Sequence, residues 1–471
     1  MSIARLGKML AMWAVLAAAF LVVSASAESK ARIVRLSEVQ GSVQIDRATG
    51  DGFDKAFINL PVIEGSKLRT GKDGRAEVEF EDGSALRLAP DSEIAFTRLA
   101  LGDDGQKLST VQLVSGTVYA NLRPKKSGAK SDQILLNFAR ESVTVSESAH
   151  FRVELADATA TLAVFKGKLS ATTPSGQFEV TEKHTATIDL AREDLAKDAA
   201  DGNPARKDTF EIAKNYEAEP SDAWDRQQTN YHDRYATAGG SSINSPYGYG
   251  MSDLNYYGSF MTVPGYGNVW QPYFIGANWS PFHDGGWAFY PGAGYMWVSG
   301  YPWGWMPYNY GNWAFAPGFG WVWQPGYWNP WYGNSWYGIP QVVNPPVRTK
   351  VPTPPVRGHQ TLMVGLGLAA NPALGAPRRM TINPDSAGFG VPRGSVNHLD
   401  RLARKMDQTS RPVSVATAPP VSTAAPTTSY GRTSSSSGSS SGSMRGGTST
   451  GMTPMGAPHR SAAPPPSSRP H

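Results

Sequence analysis

Cysteine is absent from all 471 residues, which excludes disulfides, thiolate metal sites, a cysteine nucleophile and a lipidated N-terminal cysteine together. Charge is missing from one long stretch. Between Ser245 and Gly338 there is no Lys, Arg or Glu, and Asp253 and Asp284 are the only two Asp. A hydrolase needs paired carboxylates, a Ser/His/Asp set or a metal cluster, and this stretch offers only those two aspartates and His283 besides its tyrosines. His283-Asp284 reads as a solvated pair in a turn. Elsewhere His150 and His184 have no partners at ligand spacing, and no Gly-rich phosphate loop, HExxH or GxSxG occurs. The expectation is a protein that is not an enzyme, with no cofactor and no metal site. Beyond the N-terminus no apolar run is long enough for a membrane-spanning helix.

The net charge of +5 loses its meaning once divided by region. From Gln341 to His471 there are 14 Lys+Arg against 3 Asp+Glu, so the positive excess belongs to the tail and the remainder is slightly acidic. No nucleic-acid platform is expected. Residues 341–471 are rich in Pro, Ser, Thr, Ala and Gly, a composition too poor in apolar surface to offset about 1–2 kcal/mol per residue of backbone ordering. They are expected to be a disordered basic tail, whose arginines suit anionic envelope polymers. Val396 to Met406, with Leu399, Leu402 and Met406 on one side, suits a short helix formed on a partner.

At the other end, Arg5 and Lys8 precede an apolar run from Met9 to about Val23, and Ala25-Ser26-Ala27 offers small residues for cleavage before Glu28. The run is short for a bilayer span of about 20 residues, so residues 1–27 read as a signal peptide. Export to the periplasm or beyond follows, with membrane association only if the segment stays uncleaved.

From Ile33 to about Leu190 apolar residues alternate: Ala76, Val78 and Phe80; Leu86 and Leu88; Ile94 and Phe96; Val111 and Leu113; Ile134, Leu136 and Phe138; Val143 and Val145; Phe151, Val153 and Leu155. Period two puts one side of each strand in a core and the other in water. Asp73-Gly74, Asp82-Gly83, Gly116 and Gly167 mark turns. Residues 33–190 are therefore expected to be an all-β domain of sandwich or solenoid type. Residues 208–237 change period. Ser221 is placed to cap a helix with Trp224, Gln228, Tyr231 and Tyr235 on one face, after a helical turn capped by Asp208, carrying Phe210, Ala213 and Tyr216, and ended by Pro220.

Residues 245–338 hold twelve of the fourteen tryptophans and repeat one phrase three times. Phe260, Trp287 and Trp313 open the copies; Pro264-Gly265, Pro291-Gly292 and Pro317-Gly318 follow four residues later; Gly267, Gly294 and Gly320 come next; Trp270, Trp297 and Trp323 close them. Self-similarity at periods of 27 and 26 residues marks supersecondary units that must share a core. Each copy suits two short strands around a tight turn, and the product is a stack of aromatic hairpins. Indoles bury about 150–250 Å² each, enough to build that core. Rings left outside it would be flat platforms for a glycan, a quaternary ammonium or an envelope protein. The candidates are Trp270, Trp279, Trp287, Trp297, Trp305, Trp313 and Trp323, with Asn278, Asn309 and Asn312 near them to meet hydroxyls.

The run Gly65-Ser66-Lys67-Leu68-Arg69-Thr70-Gly71-Lys72-Asp73-Gly74-Arg75-Ala76-Glu77-Val78-Glu79-Phe80-Glu81-Asp82-Gly83-Ser84-Ala85-Leu86-Arg87-Leu88-Ala89-Pro90-Asp91-Ser92, with Gly116-Thr117-Val118-Tyr119, resembles the FecR domain over about residues 33–190. The resemblance implies an extracytoplasmic, solenoid-like β domain that in iron-uptake signalling passes a signal from an outer-membrane receptor to a sigma factor. Ser148-Ala149-His150-Phe151 stands where the family usually has Arg-Gly-Thr-x-Phe. Only about eight residues precede the apolar run, so a cytoplasmic helical segment that contacts a sigma factor is not expected. The helix followed by Leu254-Asn255-Tyr256-Tyr257-Gly258 and the aromatic repeats is similar to the DUF6600 region over about residues 208–338, which implies architecture and no chemistry. The resulting expectation is an exported cell-envelope protein that binds or scaffolds through a FecR-like domain and an aromatic module; the alternative is a FecR-type sensor acting on a sigma-factor pathway through a partner.

Overall fold

The computed structural model describes residues 32–102, 105–124, 126–127, 130–145, 147–174, 176–190, 210–236, 243–326, 328, 341–347, 349–365 and 379–417. The expected signal peptide and the tail beyond residue 417 lie outside them. The described part is mostly β, with four helices: α1 (Asp222–Tyr235), α2 (Met251–Tyr257), α3 (Trp305–Asn309) and α4 (Leu399–Thr409).

The alternating segments form seventeen hydrogen-bonded strands in two layers that share one long strand, Lys107–Leu122. Its first half pairs with Glu93–Leu101 on one side and, in parallel, with Gln133–Phe138 on the other. Its second half pairs with Ala85–Leu88 and Ala149–Leu155 in the opposite layer. Crossing between layers needs a sharp change of backbone, and Gly116 supplies it at φ +80, where a Cβ would sit 2.5 Å from Asp91 O. The alternating residues Ala76, Val78, Phe80, Leu86, Leu88, Ile94, Phe96, Val111 and Leu113 are buried in one aliphatic cluster between the layers.

Two expectations change here. Phe210–Lys214 is a strand and not a helical turn: it extends the second layer beside His184–Asp189, and the Phe210 ring stacks on Phe178 at 4.0 Å. Ladder pairing with His184–Asp189 and a ring contact between the two layers outweigh the local helical spacing. The outward face of the second layer, expected in water, is covered instead. Arg35, Glu77, Glu79, Arg87 and Arg152 are all buried, because α1 and α2 lie across them. Trp224, Gln228 and Tyr231 of the expected stripe are buried on that side of α1. Ser221 begins α1 but makes no side-chain cap; Asp222 receives the Glu219 N–H at 3.0 Å instead.

Each aromatic repeat is one hairpin, and its opening ring faces its closing ring across the ladder: Phe260 with Trp270, Trp287 with Trp297, Trp313 with Trp323. The turns are alike. Tyr266, Ala293 and Phe319 donate N–H to the residue three before, and the glycine after each proline has φ between +76 and +80, the signature of a type II turn. The hairpins do not form a simple stack. The first and third join through Trp270 and Trp323 in a five-stranded sheet, whereas the second pairs with Leu362–Val364 in a separate sheet. Its Ala288, Tyr290, Met296 and Val298 enter the aliphatic core of the β domain, while Trp287 and Trp297 face the aromatic core.

Residues 341–417, expected to be disordered throughout, contribute ordered elements. Gln341–Val343 runs parallel to Asn312–Ala316, Arg379–Ile382 pairs with Val413–Ala416, and α4 buries Leu399, Ala403 and Met406. The low apolar content is offset by concentration: Ile382, Val391, Val396, Leu399 and Met406 all join the aromatic cluster. The helix expected on a partner packs on its own chain.

Candidate functional site

The seven tryptophans expected as ligand platforms are core residues. Trp270, Trp305, Trp313 and Trp323 are fully buried, and Trp279, Trp287 and Trp297 are at most 4% exposed; such rings present no face to a ligand. The reason lies in a further element of the repeat. Gly258, Gly285 and Gly311 stand two residues before each opening ring. A Cβ there would lie 2.3 Å from the ring of Trp270, 2.3 Å from that of Trp297 and 2.8 Å from Trp323 Nε1 respectively. Each glycine lets the closing indole lie flat over the backbone. Of these closing indoles, Trp270 and Trp323 donate Nε1–H to the carbonyls of Leu254 and Tyr310 at 3.0 and 2.7 Å, and Trp303, outside the repeat phrase, donates to Ala387 O at 2.7 Å. Among the asparagines, Asn309 is engaged with the Trp305 carbonyl at 2.9 Å.

His283-Asp284 is only half solvated. His283 is exposed, but Asp284 is buried and accepts the Tyr301 hydroxyl at 3.0 Å, which in turn accepts Trp279 Nε1–H at 3.0 Å. Burial and the Asp284 carboxylate hold the Tyr301 phenol well above its usual range. The pair is a surface anchor for the aromatic core.

Where rings do meet solvent is at the hairpin tips. A groove of 760 Å³ runs between the first and third hairpins and α4; Tyr273, Phe315, Phe319 and Trp321 line it, with Asp400 and Asp407 on the α4 side. Phe319, at a turn, is 45% exposed. Gln271 fixes the floor by donating to the carbonyls of Phe319 and Trp321 at 2.8 and 3.0 Å. Sequence spacing concealed these positions because Phe315, Phe319 and Trp321 are middle residues of the repeat, where the copies differ, and Tyr273 follows the closing ring of the first copy.

Beneath the other side of the aromatic module lies a buried layer of charge, the seam between it and the β domain. Glu77 is its hub: Oε2 accepts from Arg87 Nε at 2.7 Å, and Oε1 meets Arg393 Nη1 at 2.7 Å and His232 Nε2 at 2.9 Å. Burial pushes this carboxyl up, but His232, Arg87 and Arg393 outweigh it and hold it well below its ordinary range. Arg35 pairs with Asp253 at 2.7 Å and Glu79 at 3.2 Å. Arg87 reaches Asp225 at 2.6 Å, whose other oxygen meets His150 Nε2 at 2.7 Å. Arg152 and Tyr119 share Asp222 at 2.6 and 2.8 Å. Glu38 is the least satisfied member. Its Oε2 has no hydrogen-bond partner, and burial raises its carboxyl to about 6 despite Arg393. His150, without a partner at ligand spacing in sequence, thus has one from α1. Ser252 Oγ, His232 and Glu77 also fall in hydroxyl–imidazole–carboxylate order, at 3.1 and 2.9 Å. Ser252 is 3% exposed, and Glu77 is committed to two arginines as well, so the row serves cohesion. Among the described residues, no three His, Asp or Glu are grouped to hold a metal.

Family comparison accounts for both halves of this arrangement. The model described as "FecR protein" matches residues 66–170, and the model described as "Family of unknown function (DUF6600)" matches residues 251–347. The chain carries a FecR domain followed by a DUF6600 region. Glu77 and Arg87 thus belong to the FecR match and Asp253 to DUF6600, so the charge layer is the joint between the two; Arg393 lies outside both. Two solved structures are similar, both of a "putative anti-sigma factor" from Parabacteroides distasonis ATCC 8503, at 1.65 and 2.50 Å resolution. They are 14% and 13% identical, with a TM-score of 0.25 each, and the alignments cover 34% and 36% of this chain. The chain spans less than two thirds of the first, 63%, and 71% of the second. No curated protein matches it.

Proposed function

We propose that this is a non-catalytic FecR-type signalling protein of the cell envelope, which acts on a sigma-factor pathway through a partner protein and reads its input at the DUF6600 region. The observation that carries this reading is the charge layer: it locks a FecR domain, a domain type used to relay envelope signals, to an aromatic module whose open groove is lined by residues outside that layer. An input bound in the groove would bear on the FecR sheet through the first hairpin and α2, where Trp270 meets Leu254 and Asp253 meets Arg35. No helix of the described residues is long and apolar enough to cross a membrane; the inward step is assigned to a partner as part of this proposal. The test compares transcripts in cells carrying the wild-type protein, no protein, or the groove variant Phe319→Ala/Tyr273→Ala. A change confined to one sigma-factor regulon, shared by the deletion and the groove variant, supports the proposal; an unchanged transcriptome in the deletion strain overturns it.

The groove supports a second reading, an envelope scaffold that adheres to glycan. Exposed Phe319 beside Tyr273, with Asp400 and Asp407 opposite, combines a flat apolar face with hydrogen-bond acceptors suited to sugar hydroxyls. Co-sedimentation with insoluble peptidoglycan, lost in the same double variant, would favour it.

A further inference from the structure

One contact in the seam is made by a segment that belongs to neither domain. Arg379–Ile382 and Val413–Ala416 close a lobe by pairing with each other, and from its interior Arg393 projects into the charge layer, where it is 6% exposed. Its guanidinium meets a fitted receptor. Nε and Nη2 donate to the two oxygens of Asp253 at 2.9 and 2.7 Å, Nη1 donates to Glu77 at 2.7 Å, and the Tyr231 ring lies 5.4 Å away. A bidentate carboxylate with a third acceptor and an aromatic face suits the planar fork of arginine and not the point charge of lysine. The receptor also reads the backbone on both sides: Tyr257 OH donates to Val391 O at 2.7 Å, Tyr256 OH donates to Val396 O at 3.0 Å, and Val396 N–H donates to Tyr256 OH at 3.1 Å.

Charge points the same way. Glu38, Glu77, Glu79, Asp222, Asp225 and Asp253 put six buried carboxylates in the layer, against four other buried arginines, Arg35, Arg75, Arg87 and Arg152, and one buried histidine, His232. Without Arg393 the receptor is a buried site short of cations, which is costly until a cation fills it.

We propose that the FecR–DUF6600 seam is an arginine-recognition socket, a binding site for a turn-forming peptide segment bearing one arginine, and that the 379–417 lobe is its resident ligand in cis. A partner segment of the same chemistry would enter by displacing the lobe. The proposal is independent of which signal or glycan the groove takes.

The test uses the full chain with Arg393→Ala. Methylguanidinium at millimolar concentration should raise the thermal midpoint of this variant by several degrees and leave the wild type unmoved, whereas methylammonium should do nothing. A labelled peptide copying residues 386–398 should bind the variant saturably and bind the wild type at least tenfold more weakly, and its Arg→Ala version should not bind. Equal effects of the two cations, or equal binding of the two peptides, overturn the socket. If the variant does not fold alone, its refolding yield with each cation is the readout: recovery with methylguanidinium only supports the proposal, and equal or absent recovery overturns it.

Discussion

In the β domain a strand buries Val, Leu, Ile and Phe on one face, and the cluster tolerates their orientation because none carries a polar atom. In the DUF6600 region the strands bury indole pairs, and every indole brings an N–H that needs an acceptor once it leaves water. Trp270, Trp303 and Trp323 find backbone carbonyls, while Trp287, Trp297 and Trp313 find none. The aliphatic half is therefore held by area, and the aromatic half by area plus a small number of directional contacts that fix each hairpin against its neighbour. The two halves also report separately, since residues 32–190 contain no tryptophan: from residue 32 onward, tryptophan fluorescence reads α1 and the aromatic module, and far-ultraviolet dichroism is weighted towards the β domain.

The largest expected effect comes from cutting the joint. Glu77→Ala leaves Arg87, Arg393 and His232 without their common carboxylate and should cost about 3–5 kcal/mol. Denaturant unfolding followed by fluorescence and by dichroism should then give two separate midpoints, where the wild type gives one; coincident midpoints in the variant would mean that the halves cohere without the seam. Trp313→Ala removes a fully buried ring that lies 5.8 and 5.9 Å from Trp279 and Trp303 and should cost about 3–5 kcal/mol. Leu86→Ala, its counterpart in the aliphatic core, should cost about 2–5 kcal/mol, with the fluorescence spectrum of the folded state shifted only in the first variant.

Acidity separates two kinds of carboxyl in the seam. Glu77, Asp225 and Asp253 are held below their ordinary values of 4.5, 3.8 and 3.8, in each case against the upward push of burial, by their arginine or histidine partners. Their stabilisation is present above those values and is lost as the pH falls below them. Glu38 behaves oppositely. A carboxyl raised from 4.5 to about 6 takes up a proton more readily when folded, so its favourable contribution is full below 4.5 and gone once the pH has risen past about 6. Glu38→Gln should therefore stabilise the protein by about 2 kcal/mol at pH 8 and have little effect at pH 4.5; a thermal midpoint that fails to rise at pH 8 would contradict this account. The smallest effect belongs to the groove. Phe319→Ala should change stability by less than about 0.5 kcal/mol, and a larger loss in thermal denaturation would show the ring to be structural.

The strands of the β domain and the three hairpins were legible because they rest on local period and turn chemistry, and the paired rings of each hairpin fell at the spacing of the repeat. The seam was not legible. Arg87 meets Asp225 across 138 residues, His232 meets Glu77 across 155, and Arg393 meets Glu77 across 316; no periodicity carries pairings of that range. One signal was available. Asp253 and Asp284 are the only carboxylates in a long uncharged stretch, and both are buried anchors, so their isolation was itself informative. Phe210–Lys214 misled for a related reason, as its helical spacing was overruled by a strand and a ring that the sequence places far from it.

The polar outer face of the second β layer has a consequence for the order of assembly. Glu77, Glu79 and Arg87 come long before Asp253 and Arg393 along the chain, and N-terminal domains fold first. While the remainder of the chain is still missing, the newborn β domain presents carboxylates and guanidinium groups to water where an apolar face would have invited aggregation. A joint built from ions can wait in solvent for its other half, and it seals only when nearly the whole polypeptide has arrived.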